Sequence, residues 1–214
     1  MLHTQALKGE TFKLLKTLMN DSRLKDFNLA GGTALAFYLG HRLSVDLDLF
    51  TPNPFDAKKM EEYLIEKYDF KSDYFEKNTL KGTIAGVKID CITYSYPNIE
   101  NPYISQEDIR LYSMKDIVAM KLSAIADDGS RLKDFVDIAC LSTQMTFNQM
   151  LQSYTEKYPN ANPVRPLKGL LYFEDINFEE PIFILKGKYS WKNIQKRLEQ
   201  MQKKRDVLFE KMPL

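Results

Sequence analysis

Asp46 and Asp48 are separated by Leu47 and followed by Leu49. Side chains alternate along a strand, so both carboxylates point to one face and both leucines to the other. At roughly 5 Å and an effective dielectric of about 20, two such charges repel by on the order of 3 kcal/mol. A fold accepts that cost more readily when a cation lies between them. Hard oxygen ligands on one strand suit magnesium, which keeps several waters and takes further ligands from substrate phosphates. Upstream, Gly31-Gly32-Thr33 precedes a helical start at Ala34 to Leu39. The glycines permit backbone conformations that a side chain forbids. The free N–H groups of the helix start, with Thr33, face whatever sits at the turn, a place for a phosphate.

These residues need a frame of strand, glycine turn, helix, loop and strand. Asn28, Leu29 and Ala30 close a short apolar strand, and Asp46 to Phe50 supply the second. Ahead of them, residues 9–20 place Phe12, Leu15 and Met19 at helical spacing. Thr51-Pro52-Asn53-Pro54 breaks the chain before a helix over Asp56 to Tyr68. Phe70 to Phe75, Thr79 to Ala85 and Val87 to Tyr94 read as strands, the last two joined by a hairpin at Gly86. In the last of these, Val87, Ile89 and Cys91 share one face, and Lys88 and Asp90 the other. Tyr96 to Ile104, with two prolines, marks a junction between a core over 1–104 and a helical lobe over 105–214. In that lobe Ser113 and Thr146 cap two helices, Arg131 to Leu141 forms another, and Val164 to Leu171 is short. Tyr172 to Ile184 is irregular and acidic. A final helix runs from Ser190 to about Lys211.

The chain has 214 residues, 44% hydrophobic and 28% charged, with a net charge of +1. That suits one medium globular domain, or a domain with an added lobe, and shows no overall pull toward nucleic acid, so any RNA contact must come from a local patch. Cys91 and Cys140 read as free thiols in a reducing cytoplasm. The N-terminus reads as free of a signal peptide, and no apolar run reaches the ~20 residues of a membrane span.

The stretch AGGTALAFYLGHRLSVDLDLF resembles the signature of the DNA polymerase beta-like nucleotidyltransferases: a Gly-Gly or Gly-Ser turn, a helix, then Asp-x-Asp. Within that superfamily it looks most like the AbiEii/AbiGii-type nucleotidyltransferase toxins. The resemblance implies an α/β fold, a small mixed twisted sheet with helices plus a helical C-terminal lobe. It implies transfer of a nucleoside monophosphate from a nucleoside triphosphate to a hydroxyl acceptor, with two Mg2+ ions held by Asp46, Asp48 and a third acid on a later strand. Asp90 is the match. Gly31, Gly32 and Thr33 would cradle phosphates, and Arg42 and Ser44 occupy the loop where relatives carry an Arg and a Ser. His41 beside them reads as exposed, with contact to substrate as the alternative.

A second constellation, SMKDIVAMKLSAIADDGSRLKDFVDIACL, resembles the later motifs of the same family. Lys121 lies one turn after Ile117 and one before Ile125, so it must be paired or reach a cleft. Asp134 and Asp137 are neighbours on one helix face. Two readings stay open: a structural ion pair, or a lysine that holds the triphosphate while the aspartates orient it. Arg131 lies beyond Gly129, displaced from the usual arginine position. The family implies tRNA or another RNA as acceptor and a cognate antitoxin as partner, with no membrane. Two alternatives remain: an antibiotic-type enzyme with a small-molecule acceptor, and an inert nucleotidyltransferase-fold binding module.

Overall fold

The computed structural model describes residues 2–214. Seven strands form one mixed sheet. They are β1 (Asn28–Leu29), β2 (Leu47–Thr51), β3 (Lys71–Glu76), β4 (Thr79–Ile84), β5 (Val87–Thr93), β6 (Tyr103–Ile104) and β7 (Arg110–Leu111). Their spatial order is β3-β4-β5-β2-β1-β7-β6. β2 runs parallel to β5 and antiparallel to β1, and β1 runs parallel to β7.

Alternation decides the two faces. Leu47 and Leu49 of β2, Leu80 and Ile84 of β4, and Ile89 and Cys91 of β5 are buried. They join the main core with the helices α1 (Gly9–Met19), α2 (Gly31–Leu39) and α3 (Ala57–Tyr68). α2 is apolar nearly all round and almost wholly buried, as a helix without a polar face must be. It starts at Gly31, three residues before the expected Ala34, and stops at Gly40 in the left-handed conformation. The β4–β5 hairpin turns on Ala85 and Gly86, both at positive φ, which matches the twist of a two-residue connection.

The remaining helices are α4 (Met114–Asp127), α5 (Leu132–Leu141), α6 (Phe147–Lys157), α7 (Val164–Gly169) and α8 (Trp191–Lys203). Ser113 caps α4 as read from sequence, and Thr146 with Gln149 forms a full capping box on α6. Ser190 precedes α8, but its side chain makes no capping bond. α8 ends at Lys203 rather than near Lys211. Lys203, Lys204, Arg205 and Asp206 offer no apolar residue to a helix face. The chain turns back instead, with backbone bonds from Asn148 N–H to Arg205 O and from Phe209 N–H to Ser142 O.

The boundary expected at residue 104 falls between β6 and β7, which extend the sheet past β1. Two-residue strands carry too little alternation to be read from sequence. Arg110 anchors them by donating to the carbonyls of Met19, Leu24 and Phe27. The loop after β5 is tied to the helices by a fully buried ion pair. Lys157 Nζ lies 2.7 Å from Asp116 Oδ1 and donates to Pro97 O at 3.1 Å, and Asp116 also accepts from Ile99 N–H. Among the described residues no helix is long and apolar enough to cross a membrane.

Candidate active site

β2 and β5 pair in parallel with Asp48 opposite Asp90. Directly opposed residues of adjacent strands point the same way, about 4.8 Å apart. The two acids therefore stand side by side on the face of the sheet opposite the core. Phe50 follows two residues after Asp48 and stacks on Tyr94 at 5.7 Å between ring centroids. A cavity of about 290 Å3 opens on this face. Its lining includes Gly31, Gly32, Asp48, Lys121, Arg131 and Asp134, with Phe50 and Tyr94 closing one side.

The glycine turn is shaped by this arrangement. Gly31 has φ +63°, and a Cβ there would lie 1.9 Å from Asp48 Oδ2. A Cβ on Gly32 would lie 2.5 Å from Arg42 Nη2. The backbone thus presses against a carboxylate on one side and a guanidinium on the other, which only hydrogen at Cα allows. No side chain caps the start of α2, so its first N–H groups are left for a ligand. Gly31→Ala is expected to lower transfer at least about 100-fold, because the displaced Asp48 loses its geometry. The left-handed backbone adds a fold cost of roughly 1–2 kcal/mol. Turnover and melting temperature measured together check this; near-wild-type turnover would show that Asp48 tolerates displacement.

Thr33 is buried and points away from the cavity. Its hydroxyl lies 2.7 Å from Ser44 Oγ and 2.5 Å from the carbonyl oxygen of Asp46. It positions the loop that delivers the acids. That loop is also clamped from outside by residues 183–185: Leu43 N–H donates to Phe183 O and Leu185 N–H to His41 O. A second cavity, about 230 Å3, lies along this loop, lined by Lys8, Arg42, Ser44, Asp46, Lys133 and Phe183 among others.

The residues of the second constellation meet in one buried network. Asp137 accepts from Arg42 Nε at 2.7 Å and Nη2 at 2.8 Å, lies 2.7 Å from His41 Nε2, and pairs with Lys121 Nζ at 2.8 Å. Lys121 also holds Asp134 Oδ1 at 2.5 Å. Burial alone would raise the Asp137 carboxyl; the Arg42 guanidinium and the Lys121 ammonium hold it well below the usual carboxylate range. Burial pushes His41 down, so its imidazole is neutral and completes the network as a donor. His41 is thus fully buried, not exposed. The ion pair expected of Lys121 is present, and the same lysine lines the cavity.

Burial and the neighbouring Asp90 raise the Asp48 carboxyl to about 6. Asp90 is buried, and its Oδ1 has no hydrogen-bond partner, while Oδ2 leans toward Lys81 at 3.6 Å and Lys88 at 3.8 Å. Asp46 is exposed at the head of β2. Among the described residues no three His, Cys, Asp or Glu side chains stand close enough to enclose a metal ion as they lie. The donor set nevertheless fits a hard divalent cation: two repelling carboxylates on one face, one with a free buried oxygen. Arg131 immediately precedes α5, without a capping bond of its own, and lines the cavity despite its displaced position in the sequence. Phe50 and Tyr94 were signalled only by sharing the strand face of Asp48 and Asp90.

A mixed sheet with an acid pair beside a glycine turn, covered by helices that bring in a lysine, is the architecture of a nucleotidyltransferase. The family model for the nucleotidyl transferase AbiEii toxin, type IV toxin–antitoxin system, matches residues 13–211. The chain belongs to the AbiEii family of nucleotidyltransferases. It is 35% identical over 178 residues to the uncharacterized protein aq_aa25 of Aquifex aeolicus (strain VF5), covering 81% of this chain and 86% of that one. Its fold is similar to that of MenT4, a nucleotidyltransferase toxin of Mycobacterium tuberculosis H37Rv. The TM-score is 0.56 at 14% identity, over 96% of this chain and 88% of the other.

Proposed function

We propose that this enzyme transfers a nucleoside monophosphate from a nucleoside triphosphate to a hydroxyl at the end of an RNA, tRNA among the candidates, as the toxin of a pair restrained by a cognate antitoxin. The observation that carries this reading is the register of Asp48 against Asp90: Asp48 lines a cavity shared with Lys121, Arg131 and an uncapped helix start, and Asp90 stands beside it, behind that lining. Asp46, Asp48 and Asp90 are the residues that would hold Mg2+. When bound, magnesium neutralises the acids and stabilises charge developing on the phosphoryl oxygens.

The chain's own groups divide the remaining work. The N–H groups of Gly31 and Gly32 donate to the phosphate tail. Lys121, fixed by Asp134 and Asp137, and Arg131 offset its charge. Asp90, side by side with Asp48, accepts the proton of the attacking hydroxyl. Phe50 and Tyr94 offer an aromatic wall to the base or sugar. Arg42 and Ser44 act one layer out, by holding Asp137 and Thr33. Free, buried Cys91 and Cys140 suit a reducing cytoplasm.

The test is a transfer screen of labelled nucleoside triphosphates against total tRNA, other RNA ends and aminoglycosides, with magnesium. The expected result is labelled RNA with the wild type and none with Asp46→Ala. Label on an aminoglycoside alone would move the acceptor to the small-molecule class. Absence of transfer and of any nucleotide-dependent rise in melting temperature would leave an inert binding module.

A further inference from the structure

The face that carries Asp48 and Asp90 does not end at the acids. β5 and β4 continue it toward the edge of the sheet. Lys81 is the antiparallel partner of Asp90, and Lys88 lies two residues before Asp90 on the same strand. All three therefore share one face. Tyr74 of β3 opposes Lys81 and extends that face. The side chains of Lys81 and Lys88 are 40% and 54% exposed, and Tyr74 is 50% exposed.

Two ammonium groups flank one carboxylate here. Pairs of this length and exposure contribute little to stability, and one lysine already balances the charge of Asp90. Asp48, and Glu76 bonded to Tyr74, share the face, so the lysines carry no net excess of charge. Their pairing with Asp90 is long and solvated, which leaves both ammonium groups able to turn to an anion that arrives from the Asp90 side. The phosphates of a nucleoside triphosphate are met elsewhere, at Gly31, Gly32, Lys121 and Arg131. The remaining anion must come with the acceptor. In a polynucleotide the phosphate of the terminal residue lies one sugar away from the terminal hydroxyl, next to the group that Asp90 would deprotonate.

We propose that Lys81 and Lys88 bind the backbone phosphates adjoining the acceptor hydroxyl, with Tyr74 stacked on a base beyond them, so that the β3–β4–β5 face is the track for a single-stranded polynucleotide end. This rests on the RNA-acceptor reading given above. When the acceptor is seated, the two ammonium groups exchange Asp90 Oδ2 for phosphate oxygens, and Asp90 is released to face the hydroxyl.

The test uses the full chain and a fluorescently labelled short single-stranded oligoribonucleotide, with anisotropy read over a range of salt. For the Lys81→Ala/Lys88→Ala protein, loss of two phosphate contacts is expected to weaken binding roughly 25-fold at about 0.1 M salt and to flatten the slope of log K against log salt by about 1.4. Lys81→Arg/Lys88→Arg is expected to keep the wild-type slope. Tyr74→Ala is expected to weaken binding at least about fivefold without changing the slope. A lysine role confined to neutralising Asp90 would leave the slope unmoved. If the wild type transfers nucleotide to RNA and the double alanine protein binds RNA with unchanged affinity and slope, the lysine track is wrong while the proposed reaction stands. If the wild type labels only a cationic small molecule, the RNA-acceptor reading fails and the track fails with it.

Discussion

Asp48→Asn is expected to melt higher than the wild type at pH 7.5 without divalent metal, and to transfer no nucleotide. The carboxyl of Asp48 is raised from 3.8 to about 6 by burial and by the charge of Asp90. An acid whose folded pKa lies above its unfolded pKa keeps its proton longer in the folded protein. Wild-type stability therefore rises as pH falls from above 6 toward 4, and the penalty is fully present above about 6. A shift of about two units corresponds to about 3 kcal/mol, or roughly 5–10 °C in a domain of this size. The asparagine variant removes the penalty and flattens the pH profile in that window. It also removes the charge that would bind magnesium, so transfer is expected to fall at least about 10^3-fold. Magnesium with nucleoside triphosphate should raise the melting temperature of the wild type and not that of the variant. A less stable variant, or one that still transfers nucleotide, would show that the environment of Asp48 is not built for a cation.

Asp137→Ala is expected to cost about 3–5 kcal/mol, the range for removing one partner of a buried ion pair, and to drop the melting temperature by roughly 10 °C or more. It strands the guanidinium of Arg42, whose side chain is 4% exposed, and takes one of two carboxylates from Lys121. Because the folded pKa of Asp137 is held well below 3.8, its contribution is present above about pH 4 and is lost as pH falls further. Acid unfolding of the wild type therefore contains a step that the variant lacks. Replacing both partners, as Arg42→Met/Asp137→Leu, should recover much of the stability, since an apolar pair of similar volume needs no desolvated charge. Equal melting temperatures for the single and double variants would mean that the network is not the source of the cost. Loss of turnover beyond the loss of folded protein would show that Asp137 also fixes Lys121 and, through Arg42, the Gly32 turn.

Much of the frame was legible because its signals are local. The order strand, glycine turn, helix, strand at 28–51 follows from alternation, two glycines and an apolar helix. The β4–β5 hairpin follows from alternation broken at Gly86, and the caps at Ser113 and Thr146 from side chains that bond their own helix. The early stop of α8 was less legible, since its charged tail is compatible with a helix and only contacts from elsewhere decide otherwise: Phe209 N–H donates to Ser142 O just past α5, and the Arg197 guanidinium lies over the Phe209 ring. The two-residue β6 and β7 carry no periodic signal and exist because Leu29 and Arg110 offer partners distant in sequence.

For the site, residue types and period alone settled that Asp48 and Asp90 lie on polar faces of apolar strands, and that a lysine at position 121 needed a partner or a cleft. Pairing across the fold decided the rest. Arg42 and Asp137 are 95 positions apart, and no local pattern announces their bidentate bond. Asp46 and Asp48 are equivalent in sequence, yet one is solvent-exposed and the other is pressed against Gly31 beside a second acid. Periodicity tells which way a side chain points from its own backbone. The charge, burial and reach it meets there are set by strands and helices that arrive from elsewhere in the chain, and those set whether a carboxylate is locked low in an ion-pair network, as Asp137 is, or raised beside a second acid, as Asp48 is.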